Sequence, residues 1–125
     1  MGVRCGTDII EISRIKQSIE QFGEVFINKV FTNNEIDYCE RKNSIKYQHY
    51  AARFAAKEAV YKALNSFEEK AEANFLDAEI INGKNGKPKI IFHNELKYMN
   101  EYSIDISISH CKEYAVATVV IMEEE

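Results

Sequence analysis

One helical stripe and one strand end hold the residues best suited to chemistry. Ala51, Ala55, Glu58 and Lys62 are spaced to share a helix face, with Phe54 and Ala59 beside it. A carboxylate among small apolar side chains is costly to bury unless it is paired, hydrogen-bonded or bound to a cation. Lys62 lies one turn beyond Glu58, within reach for an ion pair; on the simplest reading the two make an ordinary salt bridge on a solvated helix. Asp8 is the second candidate. It follows Gly6-Thr7 near the end of an apolar run, with Glu11 three residues on, on the same side if the chain has already turned helical. Glycine beside a carboxylate lets a ligand or metal approach the backbone. The competing and commoner use of such an aspartate is to cap the helix that follows. Asp8 and Glu58 together would form a hard oxygen site suited to Mg2+, which takes one or two carboxylates, waters and substrate phosphates. A lysine nearby would neutralise charge on a transferring phosphoryl group. Arg53 and Lys57 could hold phosphates, Arg53 in bidentate fashion, or simply cover a helix flank. His49, His93 and His110 show no HxH or HxxxH spacing, which argues against a histidine metal site. His110 closes Ser107-Ile108-Ser109-His110, where it can reach a ligand from a sheet edge or serve as a hydrogen-bonded turn residue.

The elements that must position these groups are legible from periodicity. Residues 3–10 are rich in β-branched side chains and predict a strand. Ile12, Ile15, Ile19, Phe22 and Phe26 recur every three or four residues and predict one helix that passes through Gly23. Thr32 and Glu35 form a capping box, so a second helix is expected over 33–41. The alanine-rich stretch 47–64 predicts a third. Residues 73–81 and 88–92 read as two strands joined by a type I′ turn at Asn85-Gly86. A short helix is expected over 95–100. Ile104, Ile106 and Ile108 alternate with Asp105, Ser107 and Ser109, a strand with one buried side. A final strand spans 114–122. Segregated helices and hairpins indicate an α+β fold: a mainly antiparallel sheet with helices packed on one side.

The chain has 125 residues, 46% of them apolar, with one proline and five glycines, and is expected to be a single domain over 1–125. No apolar run approaches the roughly 20 residues that span a bilayer. Asp8 and Glu11 interrupt the region where an export signal would need its apolar stretch, so none is expected. Cys5, Cys39 and Cys111 are far apart and form no CxxC pair; they read as reduced thiols of a cytoplasmic protein. A net charge of −4 and scattered aromatics argue against a general affinity for nucleic acid.

Four segments in order then carry a resemblance. Gly6-Thr7-Asp8-Ile9-Ile10-Glu11-Ile12 resembles the GxDxxE signature of the holo-[acyl-carrier-protein] synthases, the short class of 4′-phosphopantetheinyl transferases. The run from Arg53 to Ala63, RFAAKEAVYKA, resembles their second signature. Asn85-Gly86-Lys87-Pro88 is similar to their hairpin turn, and Ser107-Ile108-Ser109-His110 with Lys112-Glu113-Tyr114-Ala115 to their closing segment. The resemblance runs nearly end to end. It implies the 4′-phosphopantetheinyl transferase fold and transfer of phosphopantetheine from coenzyme A to a serine of apo acyl carrier protein, in the service of fatty acid biosynthesis. Mg2+ would be held by Asp8 and Glu58, with 3′,5′-ADP released. Lys62 would contact the attacked phosphate and assist the leaving group. Glu58, or a water that it orients, would take the serine proton. Arg53, Asn85, Gly86 and His110 would hold the nucleotide part of CoA. Arg14, with Lys16 nearby on the first helix, would meet the acidic recognition helix of the carrier. A homotrimer with active sites between subunits is also implied. The match lapses at Leu64-Asn65-Ser66-Phe67-Glu68, where the family has a glycine-rich stretch. Two alternatives stand beside this reading. A metal-dependent nuclease would use the same groups but lacks a basic groove here; a non-catalytic CoA or carrier-binding module would bind without turnover.

Overall fold

A computed structural model of the chain describes residues 2–65 and 74–123. Strand β1 (Val3–Glu11) leads into α1 (Ile12–Phe22), α2 (Glu24–Val30), α3 (Asn33–Glu40) and the long α4 (Lys46–Asn65). Then come β2 (Ala78–Asn82), β3 (Pro88–Phe92), β4 (Ser103–His110) and β5 (Tyr114–Met122). Short 3-10 segments occupy Asn43–Ile45, Phe75–Asp77 and Asn94–Glu101. β1, β5 and β4 form one antiparallel sheet in that order, with Asp8 opposite Ala117 and Ile108 opposite the same residue from the other side. β2 and β3 form a separate hairpin. The expected α+β architecture is therefore present, with the antiparallel strands divided between two sheets.

α4 lies across β1 and β5 because both surfaces are stripped of bulk. Ala55, Ala56, Ala59 and Ala63 are fully buried. Gly6 completes the fit: a Cβ added there would lie 2.1 Å from the Ala59 carbonyl oxygen and 2.8 Å from the Ala63 nitrogen. The sequence suggested that Gly6 makes room for a ligand; the helix backbone takes that room instead. Val60, Leu64, Ile106, Val119 and Ile121 fill the layer between helix and sheet. A second apolar cluster joins Ile12, Ile15, Ile19, Val30 and Phe31 to the first half of α4 around Tyr50, whose ring centroid is 4.9 Å from that of Phe31.

The capping box forms as read: the Thr32 hydroxyl accepts from Glu35 N, and the Glu35 carboxylate accepts from Thr32 N. Three expectations need correction. Gly23 breaks the first helix in two, because it adopts φ +55°, and Phe22 is left exposed. The hairpin turn is not type I′. Of its residues only Gly86 has positive φ, and bonds from Gly86 N to Gly83 O and from Gly83 N to Lys87 O close a three-residue loop, a type I turn followed by a left-handed glycine. The strand expected from residue 73 begins at Ala78, after a 3-10 turn capped by the Asn74 side chain; Ala73 and residues 66–68 of the divergent loop lie outside the described residues.

Candidate active site

β1 and α4 bring Asp8, Glu58 and Lys62 together, because Gly6 lets the helix approach the strand that carries Asp8. Asp8 is an extended strand residue, and the N-cap of α1 is Glu11, so Asp8 does not cap the helix. Being in the strand, Glu11 has not turned helical. Lys62 Nζ donates to Asp8 Oδ1 at 2.9 Å and to the Thr7 carbonyl at 3.0 Å. The i to i+4 pairing of Lys62 with Glu58 thus gives way to a cross-element pair with Asp8. The Lys62 side chain is half exposed and that of Asp8 largely covered.

Glu58 is half-buried. Burial first, and then the neighbouring Asp8 charge, raises its pKa above the ordinary glutamate value, with Lys62 opposing the rise. A carboxylate whose ionisation burial and a neighbouring negative charge disfavour is one that a divalent cation would relieve. Among the described residues no group of three or more His, Cys, Asp or Glu side chains is arranged to hold a metal. Asp8 and Glu58 are a pair of hard oxygen donors, a set that would fit Mg2+ completed by water and phosphate oxygens. Asp8, Glu58 and Arg14 line one cavity of about 330 Å³, together with Ile9, Ile10, Glu11, Phe54 and Tyr114. Phe54 and Glu58 also border a second, more apolar groove with Phe26, Val30 and Phe75, whose rings lie in sequence: Phe26 to Phe54 at 6.5 Å and Phe54 to Phe75 at 5.5 Å. Lys16 does not line the Arg14 cavity. It lines an adjoining cavity with Lys112, and its ammonium lies 5.6 Å from the Tyr47 ring centre.

The remaining expected ligands gather elsewhere on the chain. Arg53 is 4% exposed. Its guanidinium lies 3.8 Å from the centre of the Tyr38 ring, and Nη2 donates to Asn82 Oδ1 at 2.6 Å. The Asn82 amide in turn donates to the Gly86 carbonyl at 2.9 Å, which ties Arg53 to the Asn85-Gly86 turn. From Tyr38 the contacts continue to His49 at 5.6 Å and from there to His110 at 5.5 Å, both edge-on. Arg53 and His110 thus lie along one band of linked side chains, which Asn82 joins to the Gly86 carbonyl next to Asn85. None of them lines the Asp8–Glu58 cavity. His49 is pushed down to about 4, by burial and then by the positive charges of Lys42, His110 and Arg53, so it is neutral at physiological pH. Lys57 is no phosphate ligand: it is fully buried, paired with Glu35 at 2.7 Å and bonded to the Phe75 and Ala78 carbonyls.

Comparison with known proteins places the chain in a family. Residues 4–119 match the family model described as the 4′-phosphopantetheinyl transferase superfamily. The chain belongs to that superfamily. A holo-[acyl-carrier-protein] synthase of Ruminiclostridium cellulolyticum is 48% identical over 97% of this chain and 92% of its own. The crystal structure of a holo-(acyl-carrier-protein) synthase from Bacillus anthracis in complex with CoA (3′,5′-ADP) is 37% identical, covers 94% of each chain and superposes with a TM-score of 0.75. The Helicobacter pylori holo-[acyl-carrier-protein] synthase in complex with coenzyme A is 32% identical over 94% of this chain and 99% of its own, with a TM-score of 0.79. Sequence reading singled out Asp8 and Glu58 as candidates but not Tyr38 and Asn82, the residues that hold Arg53. Neither stands in a recognisable motif; only the tertiary contacts reveal them.

Proposed function

We propose that this chain, folded as one domain, transfers the 4′-phosphopantetheine group of coenzyme A to a serine of apo acyl carrier protein. The observation that carries the reading is the juxtaposition of Asp8, Glu58 and Lys62 across β1 and α4, in a chain similar along its length to holo-[acyl-carrier-protein] synthases. Asp8 and Glu58 hold Mg2+, which supplies charge neutralisation for the CoA pyrophosphate. Glu58, with its raised pKa, is suited to accept the serine proton, directly or through a water that it orients. The serine oxygen forms the new P–O bond at the phosphate bearing the pantetheine. The bridging P–O bond breaks, and its electron pair leaves with adenosine 3′,5′-bisphosphate. Lys62 neutralises charge on the phosphate under attack and on the departing oxygen. Arg14, exposed at the rim of the same cavity, meets acidic residues of the carrier.

Arg53, Asn85, Gly86 and His110 hold the nucleotide half of CoA. Their separation from Asp8 and Glu58 within one chain is explained if a neighbouring subunit completes each site. A homotrimer is supported by the open face of the β1-β5-β4 sheet, where Val3, Ile9 and Met122 stand exposed. Exposed apolar side chains on a sheet face are the kind of surface that a partner subunit covers. No helix among the described residues is long and apolar enough to cross a membrane. The three cysteines are free thiols, the state that a cytoplasmic setting would keep them in. The test is the intact mass of an apo acyl carrier protein after incubation with the enzyme, CoA and Mg2+. A gain of one phosphopantetheine that EDTA abolishes is expected. No gain on a carrier that another transferase modifies would overturn the reading.

A further inference from the structure

We infer that Asn82 and Tyr38 are positioning residues for the nucleotide half of CoA: together they clamp Arg53 and lock its guanidinium to the hairpin turn. The inference rests on the assignment of Arg53 and Gly86 to CoA. An arginine carries five donors on a flexible stem, so a buried arginine that binds a ligand must have its direction fixed by others. Tyr38 covers one face of the guanidinium, at 3.8 Å from ring centre to Cζ. Asn82 supplies the in-plane contact at 2.6 Å, while Arg53 Nε has no hydrogen-bond partner among the described residues. Asn82 is bifunctional: its oxygen accepts from Arg53 and its nitrogen donates to the Gly86 carbonyl. A side-chain amide can do both at once, which an ionised carboxylate cannot. The hairpin is further held to the main sheet by Lys87 and Asp105, 3.0 Å apart. Movement of the turn is therefore transmitted to Arg53, and loss of Asn82 uncouples the two.

The effect should fall on CoA binding and not on the phosphoryl-transfer step, because neither residue touches the Asp8–Glu58 cavity. Asn82→Ala is expected to raise KM for CoA about tenfold, the size of one lost hydrogen bond to a charged group, with kcat and the carrier KM within about twofold. Tyr38→Leu should act the same way. Arg53→Ala should raise the CoA KM at least as much, and Asn82→Ala added to Arg53→Ala should raise it by less than in the parent. Asn82→Asp keeps the acceptor for Arg53 and loses the donor to Gly86, so it should recover part of the loss. A parental CoA KM in Asn82→Ala, with Arg53→Ala impaired, overturns the positioning role and leaves the CoA assignment of Arg53 standing. A parental KM in Arg53→Ala overturns that assignment. A fall in kcat and carrier binding alongside CoA binding in Asn82→Ala means general loss of structure, and also overturns the inference.

Discussion

At the scale of single residues, the decisive feature is a glutamate whose ionisation the fold disfavours. The folded-state pKa of Glu58 lies above its ordinary value. Its contribution to stability is thus fully present while the group is protonated, below the ordinary glutamate range, and is lost as pH rises through the raised folded pKa. Glu58→Gln removes that loss. Without metal, the variant should melt above the parent at neutral pH, and the difference should shrink towards pH 4 in differential scanning calorimetry. The same substitution should cut turnover by about a hundredfold or more, since on the proposed mechanism it would remove a metal ligand and the proton acceptor together. Mg2+ should raise the melting temperature of the parent and not of the variant. Equal melting at neutral pH would contradict the buried-carboxylate argument. Arg14 belongs to this scale too: Arg14→Glu should raise the carrier KM about tenfold or more and leave CoA KM unchanged, as expected for a charge at the rim of an interface. An unchanged carrier KM would remove Arg14 from docking.

Elements set the geometry in which those residues meet. β1 and α4 touch backbone to backbone at Gly6, where even a methyl group would lie 2.1 Å from a carbonyl oxygen. Gly6→Ala must push helix and strand apart, which separates Asp8 from Glu58 and opens the core. Its expected signature is a loss of about 2–4 kcal/mol in urea unfolding, by the overpacking and strain that a clash with rigid backbone imposes. Stability within 0.5 kcal/mol of the parent (about the size of an ordinary surface effect) would refute the close-contact account. The glycine of the first signature therefore serves the Asp8–Glu58 pair indirectly, by setting how near the helix can come. The Glu35–Lys57 pair has a comparable role at the other side of α4. It joins the α3 cap to β2 through Ile80 N and to the Phe75 and Ala78 carbonyls. Next to it Glu79 accepts from Thr32 and Asn34 and contacts His93. Every charge in this interior cluster has a partner, which is the condition for burying it.

For the whole molecule, the open sheet face is the main unresolved demand of the fold. Val120 lies on that face, cross-strand from Cys5 and Asp105. Val120→Lys should be tolerated in the single chain, with Asp105 as its neighbour, yet it would place a cation in any interface built on this face. Light scattering should report a trimer for the parent and a monomer for the variant, with turnover lost along with assembly. A variant that remains trimeric would move the interface elsewhere.

The local chemistry was legible in the chain because it depends on short-range patterns. Thr32 and Glu35 sit three apart and cap a helix; Ile104, Ile106 and Ile108 alternate; the two signatures name Asp8, Glu58 and Lys62. Where the outcome hung on a single backbone dihedral, local pattern was a poor guide: Gly23 split a helix that periodicity ran through, and Gly86 alone took the left-handed conformation expected of two turn residues. Where it hung on distant partners, local pattern was silent. Lys62 chose Asp8 over Glu58, Lys57 turned inward to Glu35, and Arg53 was clasped by Tyr38 and Asn82. Those choices join residues 15 to 54 positions apart, and only packing fixes which of several possible partners a long cationic side chain will meet.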